Sequence, residues 1–165
     1  MEFKEVFKGI DSLYVSYKGA LKEGLKEYLE EKKKLAQSDD EVEQALSRMI
    51  IGDHFFEVMG SGTIGYAFIL VDNWYRIQVS GSKKKALPTI YVKISSELLT
   101  GYGPDSSIKM LRKIVKKLLV KIEEETISRV DLFVDFTTDE ELENIESVSW
   151  ITRAKKLAIY RYCGL

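Results

Sequence analysis

The sequence predicts an α+β fold in which a central, mainly antiparallel sheet is packed on one face by two to three helices. Two patterns carry this prediction: short runs of β-branched and aromatic residues separated by turn residues, and long stretches in which apolar residues recur every three or four positions. The first pattern is typical of successive strands and the second of amphipathic helices. A length of 165 residues with 45% hydrophobic content predicts a single domain over residues 1–165.

The chain begins with a predicted strand and two predicted helices. Residues 13–17 alternate between apolar and polar side chains, which indicates a strand that ends at Gly19. Over residues 20–36 the apolar spacing indicates an amphipathic helix. The run Ser38-Asp39-Asp40 offers an N-cap for further helix, and the helical spacing continues to Gly52. The pattern indicates two helices, or one helix with a break.

The middle of the chain has the composition of a β-meander. Asp72-Asn73 suits a tight hairpin, because both residues tolerate left-handed backbone conformations. The run 64–71 is apolar on both faces, so this strand is expected to be central and covered on both sides. The four strands are predicted at 55–59, 64–71, 75–79 and 89–94.

The C-terminal half predicts one long helix followed by further strands. Gly101, Gly103 and Pro104 break the chain after a short helix or turn at 95–102. The long helix begins at a cap near Asp105 and places an apolar stripe opposite a basic face. The remaining predicted elements are a strand at 127–136, an acidic helix at 139–145 capped by Thr138, and strands at 148–154 and 157–162.

The predicted strand at 127–136 has two different faces, because side chains alternate across a strand. The core face is expected to carry Val130, Leu132, Val134 and Phe136, and the other face Arg129, Asp131, Phe133 and Asp135. Charges on such a face are typical of a solvated antiparallel sheet, or they indicate a functional surface. The two carboxylates lie roughly 13 Å apart along a strand, too far to share one metal ion unless a bulge shortens the span.

Pairing of the predicted strands would gather charged and aromatic side chains on one sheet face. A basic groove with aromatic rings is how single-stranded nucleic acid is commonly held. A solvated face with cross-strand ion pairs is the alternative interpretation. The expected members are Arg76, Gln78, Lys93, Arg129, Asp131 and Asp135, together with Trp74 and Tyr91.

Two further basic clusters are candidates for contact with phosphates. Lys83, Lys84 and Lys85 lie in a predicted turn, where solvated hairpin charges explain them equally well. The second cluster lies on the last two predicted strands, where protection of a sheet edge is the alternative. It comprises Arg153, Lys155, Lys156 and Arg161.

Composition excludes several classes of protein. The 25 basic and 26 acidic residues leave a net charge of −1, so nucleic-acid binding would need a local patch. Cys163 is the only cysteine and His54 the only histidine, which excludes internal disulfides, zinc fingers and two-histidine metal sites. No apolar run reaches the ~20 residues of a membrane span, and the N-terminus is not that of a signal peptide. We therefore expect a soluble, cytoplasmic protein that does not interact with membranes.

Two short motifs resemble those of the replication initiation factor family of plasmids and phages, the rolling-circle initiators and related relaxases. The first motif is Ile10-Asp11-Ser12-Leu13-Tyr14-Val15, and the second is the Arg-x-Asp-x-x-x-Asp pattern from Arg129 to Asp135. Between them, the strand, short apolar turn and helix from residue 92 onward are similar to the family's order of elements.

The resemblance implies a metal-dependent domain that binds single-stranded or hairpin origin DNA and nicks one strand through a tyrosine. A divalent ion, Mg²⁺ or Mn²⁺, is then expected near Asp131 and Asp135, and Arg129 is expected to hold a phosphate. Tyr160 and Tyr162 are the late candidates for the nucleophile. The family's paired histidines cannot occur here, and its tyrosine segment is expected beyond residue 165, so the chain is expected to be truncated at its C-terminal end.

A protein-interaction or self-association module is the competing interpretation of the same residues. It expects the charged sheet face to pack on a partner or on another copy, with ion pairs inside the sheet and no effect of metal on the melting temperature. The sequence predicts neither an oligomeric state nor a DNA sequence preference.

Overall fold

The fold is built on a seven-stranded antiparallel sheet with the strand order β2-β3-β4-β5-β6-β1-β7. The structure is a computed structural model, and it describes residues 3–81 and 87–138. With three helices beside this sheet, the α+β prediction is confirmed. The elements are β1 (Phe3–Lys18), α1 (Leu25–Leu35), α2 (Glu41–Ala45), β2 (Met49–Ile51), β3 (His54–Val58), β4 (Phe68–Val71), β5 (Tyr75–Val79), β6 (Ile90–Ile94), α3 (Ser96–Leu118) and β7 (Glu124–Thr138).

The chain divides into two compact units. One unit extends from Gly9 to Phe133, and the other comprises Met1–Lys8 and Val134–Leu165. The Gly9–Phe133 unit holds the sheet core and all three helices. The expectation of a single domain over residues 1–165 stays a prediction.

The core lies between one face of the sheet and the apolar stripe of α3. Cross-strand partners such as Val15 with Val92, and Val92 with Ile77, are fully buried on this face. From α3, Leu111 and Val115 are fully buried against the same cluster. Removal of these side chains from water is the main term that stabilises the unit.

Glycine conformations and a side-chain cap determine where the helices begin and where α3 is kinked. Helix α1 begins at Leu25 and not at residue 20, because Gly24 precedes it in a left-handed conformation with φ of 74°. Helix α2 begins after Asp40, whose side chain accepts a hydrogen bond of 2.8 Å from the backbone N–H of Val42, and the predicted N-cap is confirmed. Inside α3, Gly103 has non-helical backbone angles and produces a kink, so the predicted break is confirmed.

Two sequence predictions in the middle of the chain need correction. The prediction that helix continues to Gly52 is wrong, because α2 ends at Ala45 and Met49–Ile51 forms strand β2, which pairs with β3. The predicted strand at 64–71 is shorter, since only Phe68–Val71 is strand and Ile64 is fully exposed. Its burial on both faces is confirmed, because Ile69 is buried as deeply as Phe68.

The prediction that one face of β7 belongs to the core is wrong. Leu132 is 76% exposed and Val130 is 45% exposed. Within the Gly9–Phe133 unit, Arg112 of α3 donates two side-chain hydrogen bonds to Glu125 at the start of β7. The β7 residues beyond that point do not enter the buried cluster. Val134 and Phe136, in the other unit, are also exposed.

Several predicted elements lie outside the described residues. These are the helix at 139–145, the strands at 148–154 and 157–162, and the lysine turn at 83–85. Among residues 3–81 and 87–138, no helix is long and apolar enough to cross a membrane.

Candidate functional site

The strand register gathers charged and aromatic side chains on the sheet face that points away from the core. Lys93 lies between Tyr14 on one side and Arg76 on the other. Tyr91, on the same strand as Lys93, lies opposite Gln78 of β5. These positions alternate with the buried residues of β1, β5 and β6, so they occupy the other face. We call this surface the open face and define it by Tyr14, Tyr66, Arg76, Tyr91, Lys93 and Arg129.

Three tyrosine rings form a row across the open face. The ring centroids of Tyr66 and Tyr91 are 6.0 Å apart at an interplanar angle of 28°. Those of Tyr91 and Tyr14 are 5.7 Å apart at 32°. All three side chains are half-buried. The row therefore offers apolar ring surface within an otherwise polar face.

A tight turn before β4 supplies Tyr66. Thr63 and Tyr66 exchange two backbone hydrogen bonds, of 2.9 and 3.0 Å. A side chain at Gly62 would lie 2.7 Å from the carbonyl oxygen of Ala67 and closer still to that of Tyr66, so this close approach needs glycine. The Thr63 hydroxyl also donates to Oε1 of Gln78 at 3.0 Å. These contacts attach the turn to β5 and fix Tyr66 beside Tyr91.

Two cations lie against the ring of Tyr14. The guanidinium carbon of Arg129 is 5.2 Å from the ring centroid, and Nζ of Lys93 is 5.9 Å from it. Both distances fall within the range of cation–π attraction. The side chain of Arg129 is nevertheless 61% exposed, so its guanidinium is held in place and remains open to a ligand.

Asp131 orients this arginine. One carboxylate oxygen accepts a hydrogen bond of 2.6 Å from the Ser12 hydroxyl, and the other accepts a bond of 2.7 Å from Nε of Arg129. The bond from Ser12, and after it the bond from Arg129, lowers the pKa of Asp131. The carboxylate is therefore ionised at neutral pH and acts as the anchor of the guanidinium.

Two tyrosines of the row, Tyr66 and Tyr91, remain neutral phenols. Burial raises the pKa of Tyr66 and of Tyr91 above the ordinary value of 10.0. A neutral ring does not repel a phosphate. The described charges on this side of the sheet include the cations Arg76, Lys93 and Arg129 and the carboxylates of Asp131 and Glu57, since Glu57 lies in the same cross-strand row as Arg76.

The structure brings together most of the side chains that the sequence placed on one face, namely Arg76, Gln78, Tyr91, Lys93, Arg129 and Asp131. Trp74 lies elsewhere: it is partly buried against the core, with its ring 6.1 Å from that of Tyr102. The reason is that Trp74 belongs to the turn before β5, where side chains do not follow the alternation of a strand. Asp135 falls in the other unit.

The remaining predicted site residues lie outside the described part of the chain. They are Lys83, Lys84, Lys85, Arg153, Lys155, Lys156, Tyr160 and Tyr162.

The donors at Asp131 do not match a divalent metal site. Both oxygens are engaged, one by a hydroxyl and one by a guanidinium whose positive charge opposes a second cation. Within residues 3–81 and 87–138, no three His, Cys, Asp or Glu side chains lie close enough together to hold a metal ion.

Sequence reasoning missed Tyr14, Tyr66 and a pairing of His54 with Asp72. Tyr14 alternates with the buried Leu13 and Val15, which was a signal for the open face. Tyr66 had no such signal, because it follows a turn. His54 Nδ1 lies 2.7 Å from Asp72 Oδ2, a contact between β3 and the turn after β4 that no local pattern indicates.

No protein-family model and no curated protein matches this sequence significantly. The resemblance to replication initiators therefore stays a prediction that depends on the motifs at residues 10–15 and 129–135.

Proposed function

We propose that this chain is the DNA-binding domain of a protein of the replication-initiator type, and that the open face binds one DNA strand. The observation that carries this proposal is the row of three tyrosine rings bordered by the cations of Arg76, Lys93 and Arg129. Rings that stack on bases, together with cations that meet the backbone, are the two components of single-strand binding.

The geometry favours a single strand over a duplex. In a duplex the faces of the bases are covered by their neighbours, so tyrosine rings have nothing to stack on. On the open face, Tyr66 and Tyr91 offer ring surface, while the cations beside Tyr14 lie where a phosphate backbone would pass. Binding through ring faces and point charges also predicts weak sequence preference.

Of the three cations, Arg129 is the one whose side chain is preorganised to bind a phosphate. Its Nε is bonded to Asp131, and the ring of Tyr14 supports the guanidinium. A guanidinium held in this way loses little side-chain freedom when it binds. Asp131 is a positioning residue in this proposal and not a metal ligand.

Strand cleavage is a separate part of the proposal. The resemblance places the nucleophile among late tyrosines, with Tyr160 and Tyr162 as the candidates in this chain. Replacement of both by Phe should abolish any covalent protein–DNA adduct formed with origin DNA. An adduct that survives the double substitution would contradict their assignment.

Fluorescence anisotropy with a labelled oligothymidine, compared with the same oligonucleotide in a duplex, tests the binding proposal. We expect Tyr91→Val to weaken binding to the single strand by about 1 to 3 kcal/mol, the usual effect of losing one stacking ring. Valine retains β-propensity, so the strand should persist, and circular dichroism checks this.

Tyr28→Ala is the matched control for this experiment. Tyr28 also has a lysine against its ring, Lys32 at 5.3 Å, but it lies on α1 and not on the open face. Its loss should leave DNA binding unchanged. Equal effects of the two substitutions, or tighter binding of the duplex than of the single strand, would reject the proposal.

A self-association module is the second candidate, and the exposed apolar side chains of β7 favour it. Val130 and Leu132 are exposed apolar side chains on β7, which is an edge strand of the sheet. Light scattering across a range of protein concentrations tests this candidate. A monomer whose mass does not change when Leu132 is replaced by Ser would eliminate it.

A further inference from the structure

His54 is held in one orientation within the Gly9–Phe133 unit. Its Nδ1 is bonded to Asp72, and the two side chains are only 15% and 10% exposed. The other oxygen of Asp72 accepts hydrogen bonds from the backbone N–H groups of Trp74, at 2.8 Å, and Tyr75, at 2.6 Å. A carboxylate fixed in this way determines which ring nitrogen carries the proton and leaves Nε2 available to a ligand.

Aromatic rings surround this imidazole on several sides. Its centroid is 5.5 Å from that of Trp74, 5.5 Å from that of Tyr75 and 5.8 Å from that of Phe56. Trp74 is in turn in contact with Tyr102. Rings packed in this way keep both His54 and Trp74 in place before a ligand arrives.

A cleft of about 740 Å³ opens beside His54. Clefts of this size are typical of sites for small organic ligands. The His54 cleft is lined, among other residues, by Arg48, Asp53, His54, Glu57, Asn73 and Trp74.

The chemistry of this lining favours an uncharged heteroaromatic ligand. Asp53 and Glu57 outnumber the one arginine, Arg48, so a free phosphate is disfavoured. Trp74 offers a ring for stacking, and the amide of Asn73 and the carboxylates offer both donors and acceptors. A nucleobase has a planar ring and carries donors and acceptors along its edge.

The cleft adjoins the open face. A smaller cavity of about 230 Å³ shares the wall formed by residues 71–74 with the His54 cleft and is also lined by Arg76 and Lys93. A strand whose phosphates meet these two cations would pass the mouth of the cleft. A base of this strand would then enter the His54 cleft by rotating away from the open face.

We propose that the His54 cleft binds one nucleobase of the strand held on the open face. The base stacks against Trp74, and its edge is recognised by the Asn73 amide and by Nε2 of His54. This inference rests on the proposed function and extends it, because it assigns base recognition to a site outside the tyrosine row.

Nuclear magnetic resonance on the full chain without a histidine tag tests the cleft directly. His54 is the only histidine, so its ring signals need no further assignment. Titration with the four uncharged deoxynucleosides should shift these signals saturably for at least one base. 2-Deoxyribose 5-phosphate, which lacks a base, should leave them unchanged. No shift with any nucleoside, or an equal shift with the sugar phosphate, would overturn the inference.

Two variants make the test specific. Asn73→Ala changes an exposed turn residue, and we expect it to weaken nucleoside binding about two- to tenfold through loss of the amide hydrogen bond. Tyr91→Val removes a ring of the open face and should leave the nucleoside shift of His54 as it is. Unchanged affinity in Asn73→Ala, or loss of the shift in Tyr91→Val, would contradict the proposed location.

The two proposals fail in different ways. Oligothymidine that binds, together with nucleosides that do not affect His54, overturns the cleft and leaves the open face standing. Nucleosides that shift His54, together with an oligonucleotide that does not bind, support a base-binding cleft and reject the function proposed for the open face.

Discussion

Removal of one cation from the open face should reduce the salt dependence of DNA binding by a fixed amount. Each phosphate that a lysine or arginine neutralises releases a counterion, so the logarithm of the binding constant falls with the logarithm of salt concentration by about 0.7 per contact on a single strand. Arg76, Lys93 and Arg129 together should contribute a slope of about −2. Loss of any one of them should make the slope less negative by about 0.7.

Arg76→Gln is the best substitution for this measurement. Arg76 is exposed and has no ion pair among the described residues, whereas Arg129 is bonded to Asp131. The control is Lys116→Gln, an equal loss of charge at an exposed position of α3, which covers the other face of the sheet. Anisotropy titrations from about 50 to 200 mM salt give the slopes. Equal slopes for wild type, Arg76→Gln and Lys116→Gln would refute the reasoning.

Three predictions concern stability. Leu111→Ala should lower the unfolding free energy in urea by about 2 to 5 kcal/mol, because Leu111 is fully buried. Gly19→Ala should lower the melting temperature, because Gly19 has φ of 155° and an added Cβ would collide with the carbonyl of Lys121; an unchanged melt contradicts this. The hydrogen bond from Arg112 lowers the pKa of Glu125, so wild type should lose stability between about pH 5 and pH 3 more steeply than Glu125→Gln.

The sequence predicted elements whose cause is local. Asp40 caps α2 because its side chain reaches an N–H two residues away, and Gly103 interrupts α3 because it can adopt a non-helical conformation. Strands β5 and β6 were also predicted near their observed bounds, since their apolar and polar residues alternate. Each of these features depends on neighbours within a few positions along the chain.

Local sequence patterns gave wrong predictions where packing between elements decides the structure. The alternation in β7 predicted a core face, but its apolar side chains Val130 and Leu132 are exposed. Helical spacing continued into Met49–Ile51, where pairing with β3 imposes a strand. Hydrophobic periodicity predicts which side chains share a face. It does not predict whether another element covers that face.

The sequence alone determined the fold class and most members of the open face, because strand alternation and composition are properties of adjacent residues. Only the tertiary structure decided that Tyr66 joins the row, that Asp131 anchors Arg129 with the help of Ser12, and that His54 pairs with Asp72. The bond from Ser12 to Asp131 joins β1 to β7, and the other two contacts each join a turn residue, Tyr66 or Asp72, to a distant strand. Their geometry depends on strand register and turn shape, which are fixed when the elements pack together.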